Sequence, residues 1–276
     1  MDLKNILIIT RKELRDAMHN RWLLLYSISF TGLASAIGWL ALSEASAYGS
    51  VGFGRTAASL INLIILIVPL MGLTLGALSM AGERERGSLL YILSQPISKS
   101  EIIAGKYIGL SLALMGTLVL GFGISGLLIY IQGGGVQVAD YTLLIGITFL
   151  LALITLSLGF FLSSLTNKSS TATGLALFTW LLLIFLTDLG LMGTALVLKL
   201  QAKEIFLLTL INPLQVFKIT SILVLRSNLE VLGPGGIYAI RSYGENLFSI
   251  LITIMLFLII LPILVANIIE VSREDT

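Results

Sequence analysis

Long intervals without charged residues set the strongest limit on what this chain can fold into. A membrane-spanning helix needs about 20 mostly apolar residues, and six intervals are long and apolar enough to cross once. Charged residues make up only 12% of the chain, against about 25% in soluble domains, so much of the chain is expected to face lipid. Five intervals contain no charge and a sixth contains only Asp188: 22–43, 56–82, 107–139, 141–167, 246–269 and, with the Asp, 169–198.

The pattern inside these intervals favours helices over strands. Residues 60–78 read LINLIILIVPLMGLTLGAL and do not alternate, whereas strands of a membrane barrel alternate polar and apolar residues over about 10 positions. Helices are the other way to satisfy the backbone in lipid. We therefore predict an all-α membrane protein in which 1–276 form a single transmembrane domain. The predicted spans are 22–43, 59–82, 107–131, 142–166, 171–197 and 246–269.

The distribution of Lys and Arg predicts the side on which each loop lies. With six spans both termini lie on one side, which receives eleven basic residues, while the two short opposite loops carry only Arg55. The positive-inside rule then makes both termini and the loop 83–106 cytoplasmic, and the segment 198–245 periplasmic. The lead over 1–21 is too long for a signal peptide, so we expect an amphipathic helix there and a retained first span. The eleven are Lys4, Arg11, Lys12, Arg15, Arg21, Arg84, Arg86, Lys99, Lys106, Lys168 and Arg273.

Composition argues against several kinds of chemistry. The chain has one histidine, His19, and no cysteine, so neither a clustered metal site nor a histidine-activated serine nucleophile is expected. The nearest match to a phosphate-binding loop is SEIIAGKY, in which Ser100 replaces the first glycine and Tyr107 replaces the magnesium-binding hydroxyl. We expect no enzyme activity, metal or cofactor in this chain. If ATP drives it, ATP and Mg²⁺ bind to a partner.

Asp188 is the one charged residue inside a predicted span. A carboxylate in hydrocarbon is costly unless it faces water or a partner, so it is a candidate for a transport pathway. The alternative is that Asp188 lies at the outer interface, since only about ten residues separate it from Lys199.

The loop after the second span has an internal order. Charges alternate from Glu83 to Arg86, and an apolar stripe follows up to Leu93, which together predict a short amphipathic helix. Pro96 ends it, because the residue before proline disfavours the α region. Ser98 and Glu101 have capping-box spacing for the next helix. The short helix either lies on the lipid surface or docks into a groove of a partner protein.

The stretch GERERGSLLYILSQPISKSEIIAGKYIG resembles the cytoplasmic loop of ABC-2 type permeases, whose pattern is E-x-G-[TS]-L-x-x-L-x-x-x-P-[IV]-S-[KR]. The matching residues are Glu85, Gly87, Ser88, Leu89, Ile92, Pro96, Ile97, Ser98 and Lys99. The resemblance implies a multi-pass protein of the bacterial inner membrane with a coupling helix seated in a cleft of a separate ATPase subunit. It implies a coupling interface of Glu83, Arg84, Glu85, Arg86, Gly87, Ser88, Leu89, Leu90, Ile92, Leu93 and Pro96, with a further N-terminal interface at Arg11, Lys12 and Arg15.

A narrower resemblance comes from INPLQVFKITSILVL at 211–225. Asn212, Pro213, Phe217 and Lys218 are similar to the N-P-x-x-x-F-[KR] stretch of permeases that serve nitrous oxide reductase maturation. This implies a homodimer, two copies of a cytoplasmic ATPase, a periplasmic β-helical accessory protein, and a role in assembling a copper–sulfur centre. Because the chain lacks metal ligands, a sulfur species or mechanical force fits as the cargo better than copper.

Alternatives remain for the outer segment and for the function. The apolar run between Glu204 and Lys218 is too short to span. It lies on the outer membrane surface as an amphipathic helix, or it docks a periplasmic protein. An ATP-independent secondary transporter or channel using Asp188 is the main alternative function, although no inverted repeat is visible. A structural membrane anchor is a third.

Overall fold

The computed structural model describes residues 2–48, 51–88, 97–131, 138–187, 201–225 and 233–273, and every regular element within them is helical. This confirms the all-α prediction for the described part of the chain. A 3-10 turn, Gly244–Asn246, joins the last two helices. The helices are α1 (Leu3–Met18), α2 (Arg21–Tyr48), α3 (Val51–Glu85), α4 (Lys99–Ile131), α5 (Val138–Leu165), α6 (Ser169–Phe185), α7 (Ala202–Thr209), α8 (Pro213–Val224), α9 (Gly233–Tyr243) and α10 (Leu247–Ser272).

Five of the described helical segments are long and apolar enough to cross a membrane, and six if the bent pair α7–α8 counts as one span. They overlap the first four predicted spans and the last, although their bounds differ. The fifth predicted span, 171–197, is described only through α6, a 17-residue apolar helix, and by Leu186 and Thr187 after it. The five segments are Arg21–Trp39, Ala58–Glu85, Lys99–Leu128, Ala139–Leu165 and Gly236–Ser272.

The centre of the bundle is the contact between α3 and α5, where glycines let two backbones approach. A Cβ added at Gly76 would lie 2.5 Å from the carbonyl oxygen of Leu156 and 2.8 Å from the Cα of Gly159. Small residues at such contacts are how membrane helices pack closely, since lipid supplies no hydrophobic force between them. Met71 and Phe160, among the most deeply buried side chains, pack in the same core.

Of the two alternatives for the run between Glu204 and Lys218, the helix on the outer membrane surface does not hold for its second half. The chain bends by 107° between α7 and α8, and almost every residue of α8 is buried. Asn212 Nδ2 donates to the carbonyl oxygen of Leu183, at 3.0 Å, and to the hydroxyl of Thr187, at 3.1 Å. α8 therefore enters the bundle because its first polar residues satisfy groups at the end of α6 that lipid cannot.

We predict that Gly76→Ala destabilises the protein by about 1–3 kcal/mol, the usual cost of forcing an extra methyl into a packed core. The measurement is the thermal unfolding midpoint in detergent. Gly116→Ala is the matched control, because nothing lies within 4 Å of its added Cβ. An unchanged midpoint for Gly76→Ala would show that the α3–α5 contact is looser than described.

Candidate functional site

One end of the bundle gathers both ends of the described chain and the charged connections between spans. There the start of α1, the end of α3, the start of α4, the α5–α6 connection and the end of α10 are joined by side-chain contacts. We call this end the charged end. It contains the described part of the loop 83–106.

Four charges form a cluster in which Lys106 is the central cation. Its ammonium nitrogen lies 2.9 Å from Glu83 Oε1 and 3.0 Å from Glu13 Oε2, and Lys12 Nζ reaches the same Glu83 oxygen at 3.2 Å. The cluster therefore joins α1, α3 and α4. We call Lys12, Glu13, Glu83 and Lys106 the four-charge cluster.

Burial makes the charges of this cluster energetically costly. Only 1% of the Lys106 side chain is exposed, and a charge taken out of water is costly unless opposite charges and hydrogen bonds replace the water. Two carboxylates on one ammonium supply that replacement. At Lys12 burial acts to lower the pKa, but the neighbouring Glu83 and Glu13 carboxylates outweigh it and raise the pKa above its ordinary value.

The N-terminal helix lies against α4 rather than only on lipid. Residues 2–13 run beside 101–109 in the same direction, as a close backbone approach at two glycines permits. A Cβ at Gly105 would lie 2.7 Å from Ile9 Cβ, and one at Gly109 would lie 2.8 Å from the Thr10 carbonyl oxygen. α1 is thus packed as part of the bundle.

The start of α4 has the cap that the sequence predicts. Ser98 Oγ accepts the Glu101 N–H and Glu101 Oε2 accepts the Ser98 N–H, both at 3.3 Å. The Glu101 carboxylate also accepts the backbone N–H of Asp2, at 2.6 Å, and the Asn5 amide, at 3.2 Å. One acidic residue therefore caps α4 and ties the beginning of α1 to it.

The end of α10 is held by a second set of contacts. Arg84 Nη2 donates to both carboxylate oxygens of Glu270 at 2.7 Å, and Arg84 Nη1 donates to the Thr166 carbonyl. Lys99 Nζ donates to the Arg273 carbonyl oxygen at 2.6 Å. Arg273 in turn donates through its side chain to the Asn167 side chain on the α5–α6 connection.

Glu85 connects the loop to α6. Its Oε2 accepts the N–H of Ser169, the first residue of α6, at 2.9 Å. The residue before, Lys168, makes no side-chain cap. An acidic group at a helix N-terminus is favourable because the first N–H groups have no partner within the helix.

The boundary of the predicted coupling helix needs correction. Residues Glu83 to Glu85 form the last turn of α3 instead of the first turn of a separate helix. Gly87 follows with φ +71°, the left-handed conformation in which glycine commonly ends a helix. A separate helix therefore begins no earlier than Ser88. The predicted interface residues beyond Ser88 lie outside the described residues: Leu89, Leu90, Ile92, Leu93 and Pro96. Asp188 also lies outside them.

The remaining predicted site residues fall into two groups. Glu83, Arg84, Glu85 and Lys12 contact other helices of this chain. The others have exposed or partly exposed positions at the charged end: Arg86, Gly87, Ser88, Arg11 and Arg15. A cavity of about 310 Å³ opens beside them, bordered by α1, α3 and α4 and lined by Arg86 and Ser169 among others.

Sequence reasoning missed the partners of these residues. Glu13, Lys106 and Glu270 were not singled out, although each lies where a charged segment meets an apolar one. Lys106 and Glu83 border successive spans at the same predicted side, which is a signal for pairing. Nothing in the sequence indicates that Glu270 reaches Arg84, 186 residues away.

The part of the chain that the structure describes contains no group of three or more His, Cys, Asp or Glu residues that would hold a metal ion. The charged end is a network of ion pairs and helix caps, which is suited to holding helices in register.

Comparison with known proteins decides the family. The profile described as "ABC-2 family transporter protein" matches residues 7–269. The chain belongs to the ABC-2 transporter family. It is 32% identical over 246 residues to the "Probable ABC transporter permease protein NosY" of Stutzerimonas stutzeri, covering 87% of each chain. It is 31% identical over 240 residues to the protein of the same description from Pseudomonas aeruginosa, covering 85% of this chain and 86% of the relative.

Membership confirms the resemblance stated from the loop sequence and makes the chain an ABC-2 permease. With its several apolar helices it is a multi-pass protein of the inner membrane. The permease is the membrane subunit of such a transporter, and the family implies an ATPase partner.

We predict that Lys106→Met destabilises this permease by about 3–5 kcal/mol, because breaking a buried pair leaves uncompensated carboxylates. Adding Glu83→Gln should recover part of the loss, since the two residues are in direct contact. Unfolding midpoints in detergent measure both effects. Lys203→Met, at an exposed position on α7, is the control and should change stability by no more than about 0.5 kcal/mol. Equal effects of the Lys106 and Lys203 variants would contradict a buried cluster.

Proposed function

We propose that this chain is the permease that couples ATP hydrolysis by a separate ATPase subunit to export, or to force on a periplasmic partner. We further propose that it serves assembly of the copper–sulfur centre of nitrous oxide reductase. The family supports the transporter part, and the likeness to two relatives described as NosY over more than four fifths of the chain supports the narrower part.

The observation that carries the proposal is that the residues on both sides of the loop contact other helices of the bundle. Before the loop, Glu83 and Arg84 are tied to α4, α1 and α10; after it, Lys99 and Glu101 are tied to α10 and α1. Residues Glu85 to Gly87 remain exposed between them. A partner that moves the loop therefore moves several helices, which is what a coupling segment must do.

The orientation that we propose is supported by the distribution of basic residues. Eleven basic residues lie in the segments assigned to one side by the spacing of spans. Positive residues are retained on the cytoplasmic side, so the charged end faces the cytoplasm and meets the ATPase there. The connection α7–α9 then lies toward the periplasm and faces an accessory protein.

The assembly that we propose has two permease chains and two ATPase subunits about a two-fold axis, the commonest oligomer symmetry. ATP and Mg²⁺ bind to the ATPase. ATP favours one of two states of the permease through different contacts in each. Thiolate, thioether and imidazole ligands bind copper, and the sequence has no cysteine, one histidine and seven methionines that are scattered without paired spacing. A sulfur species or mechanical force is therefore a better cargo than copper.

We predict that tagged protein purified from its native membrane in mild detergent brings down a P-loop ATPase in stoichiometric amount, with a periplasmic companion. Mass spectrometry of the purified complex identifies both. Deletion of 88–96 should remove the ATPase and leave the permease in the membrane. If the protein purifies alone and no ATPase depends on the loop, the transporter proposal fails.

We predict that Glu85→Ala lowers maturation of nitrous oxide reductase at least fivefold, while the permease still accumulates. A fivefold change corresponds to about 1 kcal/mol, the lower end of ordinary coupling free energies. The reason is that the carboxylate joins the exposed loop residues to α6. Copper loading of the reductase in cells is the measurement. Glu85→Gln removes the charge but keeps an acceptor for the Ser169 N–H. It therefore distinguishes the effect of losing the charge from the effect of losing the helix cap.

The control for that experiment is Glu245→Ala, at an exposed acidic residue in the 3-10 turn of the outer segment. It should mature the reductase normally if the effect belongs to the loop. Full maturation with Glu85→Ala and normal assembly would rule out coupling through this residue.

A further inference from the structure

The last helix contacts the predicted coupling loop on both of its sides. Arg84, just before the loop, donates to both Glu270 oxygens at 2.7 Å, and Lys99, just after it, donates to the Arg273 carbonyl oxygen at 2.6 Å. Glu270 and Arg273 belong to the last turn and the C-cap of α10. The two ends of the loop are therefore attached to one helix terminus.

The contact at Glu270 is the more enclosed of the two. Its side chain is 4% exposed and that of Arg84 is 17% exposed. Arg84 also donates to the Thr166 carbonyl, so the guanidinium is fixed between α10 and the α5–α6 connection. Hydrogen bonds between ionised groups are about twice as strong as neutral ones. The end of α3 cannot shift relative to α10 without breaking them.

At its other end α10 continues into the outer segment. Gly236–Ser272 forms one apolar segment of 37 residues, made of α9, the 3-10 turn in which Gly244 has φ +49°, and α10. The 26 residues of α10 span about 39 Å at 1.5 Å per residue. The ring of Phe206 on α7 lies 6.5 Å from that of Tyr238 and 5.7 Å from that of Tyr243, both on α9. Phe206 is buried. The helix α9, which precedes the N-terminal end of α10, therefore packs against α7.

We propose that α10 carries movement of the loop to α7 and α9, and that the Arg84–Glu270 pair is the joint where the movement enters. Glu270 is thus a positioning residue for coupling. The inference rests on the proposed function, because it takes the loop as the place where the ATPase acts. The physical basis is that α10 is one hydrogen-bonded helix, apart from the bond that Pro262 cannot donate. Its last turn contacts the loop, and its first turn continues through the 3-10 turn into α9.

Hydrogen exchange of the purified permease–ATPase complex, with and without ATP, tests the joint. In the wild type ATP should change exchange both at 83–88 and at 233–243. In Glu270→Gln, an isosteric change that removes the charge, the ATPase should stay bound and the change at 83–88 should persist. The change at 233–243 should fall at least fivefold. Glu270→Asp, which keeps the charge, should restore most of it.

Glu245→Gln is the matched control, since it is the same chemical change within Gly236–Ser272 at an exposed position away from the joint. It should leave both changes at wild-type size. A wild-type response at 233–243 in Glu270→Gln would overturn the joint while leaving the proposed function intact. No response at 83–88 in the wild type would overturn both. If Glu270→Gln fails to assemble, Arg84→Gln, which removes the bidentate contact from the other side of the pair, is measured instead and must lower the change at 233–243 at least fivefold; a wild-type change there would overturn the joint.

Discussion

A buried ammonium group needs carboxylates around it, and the charged end of this permease is organised by that need. Lys106 lies at the point where α4 becomes apolar, with 1% of its side chain exposed. It is retained because Glu13 comes from α1 and Glu83 from α3. The two carboxylates lie on different helices, and neither of these is the helix of Lys106. A single lysine therefore fixes the positions of three helices. A buried charge is costly alone and acceptable when paired.

The packing of α1 follows from this constraint together with two glycines. Gly105 and Gly109 remove the side chains that would hold α1 away from α4, and the close approach brings Glu13 within reach of Lys106. Polar groups and small residues act together here, as they commonly do between helices in membranes where no hydrophobic force distinguishes a helix neighbour from lipid. The N-terminal helix α1 is therefore packed as part of the bundle.

The charged end and the α7–α9 region are connected through the final helix, α10. α8 enters the bundle because Asn212 satisfies groups at the end of α6, and α9 continues into α10 through one 3-10 turn. The end of α10 returns to Arg84 beside the loop. The route that we propose between the two faces of this ABC-2 permease therefore consists of α9, the 3-10 turn and α10, with the Arg84–Glu270 pair at its end.

The amino-acid sequence alone determined that the chain is a helical multi-pass membrane protein, that Ser98 caps α4, and that the loop is of the ABC-2 permease type, because apolar length, cap spacing and a loop motif are local properties. It did not determine that α3 continues through Glu85, that Pro213–Val224 enters the bundle, or that Glu270 reaches Arg84. Those were decided by tertiary structure. Their cause in each case is a polar group that must find a partner away from water, and the partner comes from a distant part of the chain.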